Sequence, residues 1–162
     1  MKVLVTGGAG YIGSHTSVSL CENGYDVAIF DNLCNSSREA VLRAEKLCGK
    51  KITFIKGDIR SKSDLRKAFE KTKPDCVIHF AGLKAVGESI EKPLEYYENN
   101  VCGTINLLQV MAEFSVKKIV FSSSATVYKS TNPMPLTENM EIGATNPYGY
   151  TKVIIERILR DF

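Results

Sequence analysis

The 162-residue sequence has no long apolar run, no tract of one charge sign and no low-complexity segment. No stretch approaches the roughly 18 apolar residues that a membrane-spanning helix needs, so we expect a soluble protein without a membrane partner. With 44% hydrophobic and 24% charged residues, the composition excludes a disordered or fibrous chain. The formal net charge is only +3, and basic residues alternate with acidic ones, so we expect no nucleic-acid partner.

Cysteine and histidine are also scarce and widely spaced. The five cysteines include no C-x-x-C pair, and the two histidines, His15 and His79, do not neighbour them. We therefore expect no metal site, and we interpret both histidines as packed or hydrogen-bonded residues. The odd number of cysteines predicts reduced thiols and a cytoplasmic location, and the amino-terminal apolar segment is too short for a signal peptide.

Short β-rich apolar segments alternate with amphipathic segments along the chain, a pattern typical of βαβ units. We predict five strands, at Lys2–Thr6, Asp26–Phe30, Ile52–Ile55, Cys76–Phe80 and Lys118–Phe121. We predict helices at residues 11–21, 38–48, 63–71, 94–114 and 148–162. The expectation is an α/β fold with a doubly wound parallel sheet in the order 3-2-1-4-5, whose ligands bind at the carboxyl ends of the strands.

The first strand leads into a glycine-rich turn, Gly7-Gly8-Ala9-Gly10-Tyr11-Ile12-Gly13, which matches G-x-G-x-x-G from Gly8. Residues without a Cβ allow a sharp turn, a close approach of the backbone to a pyrophosphate, and a helix whose first amides face the anion. About 20 residues later, Asp31 follows the second strand, where a carboxylate can accept hydrogen bonds from ribose hydroxyls. That carboxylate would repel a 2′-phosphate, so the pattern favours NAD over NADP.

Two other strand ends carry candidate ligand contacts. Asp58 follows the third strand, where it could meet the adenine amino group or be a plain turn residue. Phe80-Ala81-Gly82 follows the fourth strand and offers small residues for close approach to a ligand, with Lys84 just beyond. A lysine at this place is either a solvated surface residue or a cation near the phosphates.

A tyrosine and a lysine, Tyr148 and Lys152, are spaced i and i+4, which places them on one face of the final helix. A neighbouring ammonium favours the phenolate, which can act as a general base. Ser122-Ser123-Ser124 ends the fifth strand and supplies a hydroxyl where a substrate oxygen would lie beside the cofactor. The glycine-rich turn, the serines after the fifth strand and the Tyr148–Lys152 pair together predict an active site at the carboxyl edge of the sheet.

These motifs resemble the UDP-glucose 4-epimerase family, which belongs to the extended short-chain dehydrogenases/reductases. The matching segments are Thr6–Gly13, Asp31–Leu33, Gly57–Arg60, His79–Ser89, Tyr96–Asn100, Ser122–Tyr128 and Tyr148–Lys152. The resemblance implies that residues 1–162 form an NAD-binding Rossmann-type domain. It also implies interconversion of UDP-glucose and UDP-galactose through a 4-keto intermediate, with transient hydride transfer to bound NAD.

The resemblance also implies individual roles. Ser124, Tyr148 and Lys152 would be catalytic: Tyr148 would take the proton of the sugar 4-hydroxyl, and Ser124 would hydrogen-bond O4. Lys84, Ser124 and Tyr148 would contact the UDP-sugar. The residues implied to contact NAD are Gly7, Gly10, Tyr11, Ile12, Gly13, Asp31, Asn32, Asn35, Ser36, Asp58, Ile59, Phe80, Ala81, Gly82, Lys84, Asn99, Ser122, Tyr148 and Lys152.

The chain departs from this family in length, which is about half that of family members. We expect it to be truncated, without the carboxyl-terminal substrate region, and to expose the edge of the fifth strand. The family resemblance implies a homodimer, and the exposed edge predicts an oligomer formed through that strand. Two alternatives stay open: a non-catalytic NAD-binding fragment, and another NAD-dependent nucleotide-sugar epimerase or dehydratase. A dehydratase is disfavoured because Ser124-Ala125-Thr126 contains no carboxylate.

Overall fold

The structure is a computed structural model that describes all 162 residues, and the chain forms two compact units. The first unit comprises Met1–Ala81 and Asn106–Ser122. The second unit comprises Gly82–Ile105 and Ser123–Phe162. Each is described in turn.

The first unit contains a five-stranded parallel sheet. Its strands are β1 (Lys2–Thr6), β2 (Asp26–Asp31), β3 (Thr53–Lys56), β4 (Cys76–His79) and β5 (Ile119–Phe121). The order β3-β2-β1-β4-β5 confirms the predicted doubly wound topology, and the predicted strands differ from the observed ones only at their ends. The carboxyl ends of all five strands therefore lie along one edge of the sheet.

Three helices of the first unit connect its strands: α1 (Tyr11–Glu22), α2 (Arg38–Cys48) and α3 (Lys62–Thr72). The helices α1 and α2 pack against each other. With side chains from β1, β2, the turn after β1 and the residue before β3, they enclose an apolar core. Its buried members are Val3, Val5, Ala9, Cys21, Val27, Ile29, Val41, Ala44 and Ile52. Burial of this apolar surface is the main source of stability for the sheet that positions the strand ends.

The second unit is largely helical. It contains α4 (Val86–Glu91), α5 (Pro93–Tyr96), a π-helix (Tyr97–Cys102), a 3₁₀-helix (Ala125–Val127) and α7 (Pro147–Asp161). The helix α6 (Gly103–Glu113) begins in this unit and ends in the first. Within the second unit, α7 packs against α4, α5, the π-helix and the 3₁₀-helix.

The predicted helix over residues 94–114 is confirmed in extent, because α5, the π-helix and α6 run without interruption from Pro93 to Glu113, but Tyr97–Cys102 within it are wound as a π-helix. A π-helix has one extra residue per turn, and it leaves Asn99 and Asn100 within a wide turn. The carbonyl of Asn100 accepts from the Gly103 amide and also accepts a 2.6 Å hydrogen bond from the Thr104 hydroxyl. The apolar periodicity of this segment indicated helix but carried no signal for the change in winding. The short helix α4 is an additional element that the pattern did not predict.

The strand β5 lies at the edge of the sheet and pairs only with β4. The side chain of Val120, at its centre, is 62% exposed. The expected apolar edge is therefore present. No helix combines the length and hydrophobicity required to cross a bilayer.

Candidate active site

The turn between β1 and α1 depends on two glycines. Gly7 has φ +69°, and a Cβ on it would lie 2.6 Å from the backbone nitrogen of Ala81, just beyond β4. A Cβ on Gly13 would overlap the Gly7 carbonyl oxygen and lie 2.7 Å from the Cα of Gly8. Both glycines are therefore required for the turn to pack between β4 and the first turn of α1.

The start of α1 is open. Its N-cap residue, Gly10, has no side chain to bond the first amides, and the first turn holds no acidic residue. Tyr11 and Ile12 follow and are 76% and 52% exposed. Unsatisfied amides at the positive end of a helix dipole bind anions, so this turn fits the pyrophosphate of a dinucleotide.

Asp31, at the end of β2, is only 7% exposed, and its carboxylate is already used inside the protein. Its Oδ2 accepts a 3.0 Å bond from the Ala9 amide in the glycine turn. Its Oδ1 accepts 2.8 Å bonds from the Leu33 amide and the Ser36 hydroxyl. Each carboxylate oxygen has two acceptor positions, so Oδ2 keeps one for a ribose hydroxyl. Sequence reasoning missed that this residue also fixes the glycine turn.

Asp58 joins the loops after β2 and β3. Its carboxylate accepts a 3.0 Å bond from the Asn32 amide group, and it receives one backbone and two guanidinium bonds from Arg60. The Arg60 bonds are the main reason that the pKa of Asp58 falls to about 2. Four donors fill its acceptor positions. The contact with an adenine amino group stays a prediction, and it would require one of these donors to be displaced.

The ends of β1, β4 and β5 are tied together. Thr6 Oγ1 and His79 Nδ1 are 2.6 Å apart in the interior, and the Phe80 amide donates to the Thr6 carbonyl. The Ser122 amide donates to the His79 carbonyl over 3.2 Å. His79 is 1% exposed, which confirms its interpretation as a packed, hydrogen-bonded residue. Among all 162 residues, no group of three or more His, Cys, Asp or Glu side chains is placed to hold a metal ion.

In the second unit, the start of α7 presents the predicted tyrosine and lysine together. Asn146 caps the helix by accepting a 2.8 Å bond from the Gly149 amide, and Pro147 occupies the first turn. The Lys152 ammonium lies 5.8 Å from the centroid of the Tyr148 ring. Lys152 is 6% exposed, and its burial lowers its pKa to about 8. The structure therefore confirms that the two side chains share a face, with the cation withdrawn from solvent.

Gly149 lies between these two residues and allows the helix to approach the turn that carries Ser124. A Cβ on Gly149 would lie 2.8 Å from both the Thr126 carbonyl oxygen and the Ala144 Cβ. Ser124 is the N-cap of the 3₁₀-helix, and its Oγ accepts bonds from the Thr126 amide and hydroxyl at 3.2 and 2.9 Å. Ser124 still has its own proton to donate to a ligand oxygen.

Several supporting residues were not found by sequence reasoning. The Ser123 hydroxyl donates to the Glu156 carboxylate over 2.5 Å, which joins the residue before Ser124 to the helix of Lys152. Asn100 and Thr151 hydrogen-bond each other through side chains at 3.1 Å. For Asn100 and Thr151, the only available signal was a polar residue at a helical position where the periodicity predicts an apolar one.

The predicted site residues fall into two groups. The first unit holds those from the glycine turn, the loops after β2 and β3, Phe80, Ala81 and Ser122, and the second unit holds Gly82, Lys84, Asn99, Ser124, Tyr148 and Lys152. Asn35 and Lys84 are exposed, whereas Asn99 is half-buried and donates to Asn100 Oδ1. Ile59 is buried, at 4% exposure.

Comparison with known proteins gives consistent matches. The family model described as "NAD dependent epimerase/dehydratase family" matches residues 3–162. The chain is 57% identical over 163 residues to a UDP-glucose 4-epimerase of Yersinia enterocolitica, covering 100% of this chain and 48% of the relative. It is 56% identical to UDP-glucose 4-epimerase 2 of Arabidopsis thaliana, covering 99% of this chain and 47% of the relative.

A solved structure also matches closely. The crystal structure of UDP-glucose 4-epimerase from Bifidobacterium longum in complex with NAD+ and UDP superposes with a TM-score of 0.97 at 51% identity. That match covers 99% of this chain and 48% of the other. The chain thus spans about half the length of the curated relatives it matches.

Proposed function

The chain belongs to the NAD dependent epimerase/dehydratase family, and from that premise we propose that it carries the NAD-binding and proton-transfer residues of a UDP-glucose 4-epimerase. The proposed reaction interconverts UDP-glucose and UDP-galactose, with residues 1–162 acting as the NAD-binding domain. Relatives more than half identical to the chain carry that name. A solved relative holds NAD+ and UDP.

The pairing of Tyr148 with Lys152 is the observation that carries the proposal. A buried cation beside a phenol favours the phenolate, which is the form that can accept a proton from the sugar 4-hydroxyl. The Lys152 ammonium lies 5.8 Å from the centroid of the Tyr148 ring, on the same face of α7. Ser124 donates its hydroxyl proton to the same sugar oxygen and so orients it toward Tyr148.

NAD, when bound, supplies reversible oxidation at C4 of the sugar, so the net reaction leaves the redox state unchanged. The open start of α1 would hold its pyrophosphate, and the free acceptor position of Asp31 would hold a ribose hydroxyl. Asn32, Asn35, Ser36, Asp58 and Ile59 are the proposed neighbours of the adenosine half. Lys152, besides acting on Tyr148, would donate a hydrogen bond to the nicotinamide ribose.

A second candidate is an NAD-binding protein without turnover. Such a protein needs only the dinucleotide contacts of the first unit, the open start of α1 and the free acceptor position of Asp31. A dehydratase has less support, because no carboxylate stands beside Ser124.

We also propose a cytoplasmic homo-oligomer with a UDP-sugar substrate and no nucleic-acid or membrane partner. All five cysteines are free, as in a reducing compartment. Val120 on the edge strand and Leu94 on α5, 62% and 81% exposed, are apolar positions at which a second copy could pack. Substitution of either residue by lysine should shift the sizing profile toward monomer, and a monomeric wild type would contradict this part of the proposal.

The test combines two measurements on one preparation of the 162-residue chain. Denaturation releases any bound nucleotide for identification, and the native protein is assayed for interconversion of UDP-glucose and UDP-galactose. Bound NAD with turnover supports the epimerase. NAD without turnover supports the binding protein, and the absence of NAD binding even after reconstitution contradicts both.

A further inference from the structure

Lys84 stands on a segment of irregular backbone, Gly82–Ala85, between β4 and α4. Its side chain is exposed and takes part in no ion pair. An exposed lysine usually samples many conformations, and holding it in one costs side-chain entropy. A fixed backbone reduces the number of positions that the ammonium can reach.

Asn100 fixes this segment on the amino-terminal side of Lys84. Its side chain is 1% exposed, and its Oδ1 accepts a 2.8 Å bond from the Leu83 amide. Its Nδ2 donates a hydrogen bond of 2.9 Å to the Leu83 carbonyl and one of 3.1 Å to Thr151 Oγ1. A Cβ on Gly82 would lie only 3.2 Å from Asn100 Oδ1, so the glycine makes room for this contact.

The second partner of Asn100 is Thr151, which connects the Gly82–Ala85 segment to α7. Thr151 lies on α7 between Tyr148 and Lys152 and is fully buried. Its hydroxyl donates a 2.6 Å hydrogen bond to the Tyr148 carbonyl and accepts one from Asn100 Nδ2. One buried amide therefore joins the backbone next to Lys84 to the turn of helix that bears the tyrosine.

Tyr96 fixes the segment on the other side of Lys84. Its hydroxyl, on a side chain that is 0% exposed, accepts a 3.1 Å bond from the Ala85 amide and donates 2.8 Å to the Glu88 carboxylate. Burial, followed by the hydrogen bond to Glu88, raises the pKa of Tyr96 to about 12. The hydroxyl therefore keeps its proton at physiological pH and holds both partners.

We propose that Tyr96 and Asn100 are positioning residues for Lys84, holding the backbone on both sides of it so that its ammonium is presented to a diphosphate-bearing ligand. The inference rests on the proposed function, which supplies two such ligands, NAD and a UDP-sugar. A preorganised ammonium binds a phosphate more tightly than a mobile one, because less conformational entropy is lost on binding. Neither Tyr96 nor Asn100 touches the ligand in this arrangement.

Amide hydrogen exchange tests, without a ligand, whether Tyr96 and Asn100 hold the backbone of the Gly82–Ala85 segment. Tyr96→Phe should accelerate exchange of the Ala85 amide, while the Leu83 amide, held by Asn100, stays protected. Asn100→Asp keeps an acceptor for the Leu83 amide but loses both donated bonds, so the segment should loosen at Leu83. Tyr25→Phe is the matched control, because the Tyr25 hydroxyl lies in the first unit and makes no hydrogen bond. Unchanged exchange at Ala85 in Tyr96→Phe overturns the proposal.

A double-mutant cycle of Tyr96→Phe and Lys84→Met tests whether Tyr96 affects ligand affinity through Lys84. Two titrations distinguish the ligands: NAD against the protein freed of nucleotide, and UDP-glucose against the NAD-loaded protein. Lys84→Met should weaken one of them about tenfold, the loss of one charged hydrogen bond. Tyr96→Phe should weaken the same ligand by a smaller factor, with no further loss when added to Lys84→Met.

Additive losses in the double variant would overturn the proposal, since Tyr96 would then act independently of Lys84. Full binding of both ligands by Lys84→Met would also overturn it, while leaving the proposed function intact. A wild-type protein that binds neither ligand contradicts the proposed function, and the inference fails with it. The readouts are affinities and exchange rates, so they do not depend on turnover.

Discussion

The Ala9 amide donates to Asp31 Oδ2 over 3.0 Å, so the last residue of β2 holds the turn that follows β1. The two groups are 22 residues apart in sequence and both are buried. A carboxylate usually considered only for its contact with a ribose thus also shapes the turn that would receive the pyrophosphate. Loss of this one side chain should therefore affect two parts of a dinucleotide site.

Asp31→Asn tests this double role. The amide Nδ2 cannot accept a hydrogen bond, so either the Ala9 amide or the Leu33 amide loses its acceptor. An unsatisfied buried donor costs about 1–3 kcal/mol. We expect that loss in the free energy of unfolding, measured with urea, and at least a tenfold weaker NAD affinity by calorimetry. Asp26→Asn, an exposed carboxylate at the start of the same strand, is the control. Unchanged NAD affinity in Asp31→Asn would show that the turn needs no support from β2.

Tyr148→Phe removes only the hydroxyl that would accept the sugar proton. Because removal of a general base costs about 10²–10⁴-fold in rate, turnover should fall by at least that factor while NAD affinity changes little. The control is Tyr150→Phe, two residues along the same helix, whose side chain is 46% exposed. Equal turnover in the two variants would remove Tyr148 from the mechanism.

The sequence predicted what depends on local pattern. The strand order follows from the alternation of elements, and the shared face of Tyr148 and Lys152 follows from their spacing of four residues. The π-helix had no signal in the local pattern, and Asn100, which lies in it, bonds to residues 17 and 51 positions away. The saturated carboxylate of Asp58 likewise depends on Asn32, which belongs to a different loop.

Gly149→Ala tests the close approach of α7 to the turn of Ser124. A methyl group there would lie 2.8 Å from two atoms, so the helix must move, at a cost of about 1–3 kcal/mol in stability. Because the shift displaces Tyr148 relative to Ser124, turnover should fall more than NAD affinity does. Gly87→Ala is the matched control, since nothing lies within 4 Å of its added methyl and alanine favours the helix α4. A Gly149→Ala protein as stable and active as the control would contradict this packing.

The buried ammonium of Lys152 should give the protein a distinct dependence of stability on pH. Its pKa of about 8 lies below the ordinary value of 10.5 because burial disfavours the charge. The unfolded chain then binds more protons than the folded one between these two values, so stability should rise as pH increases from about 8 to about 10.5.

Lys152→Met isolates that contribution, because methionine fills a similar volume without a charge. The wild type should gain up to about 3 kcal/mol relative to Lys152→Met between pH 7.5 and pH 10.5, the upper limit set by the separation of the two pKa values. Urea unfolding at several pH values measures the difference, and Lys129→Met, an exposed lysine paired with Glu141, shows the response of a surface lysine. Parallel pH curves for the wild type and Lys152→Met would mean that the ammonium is as well solvated in the folded chain as in the unfolded one.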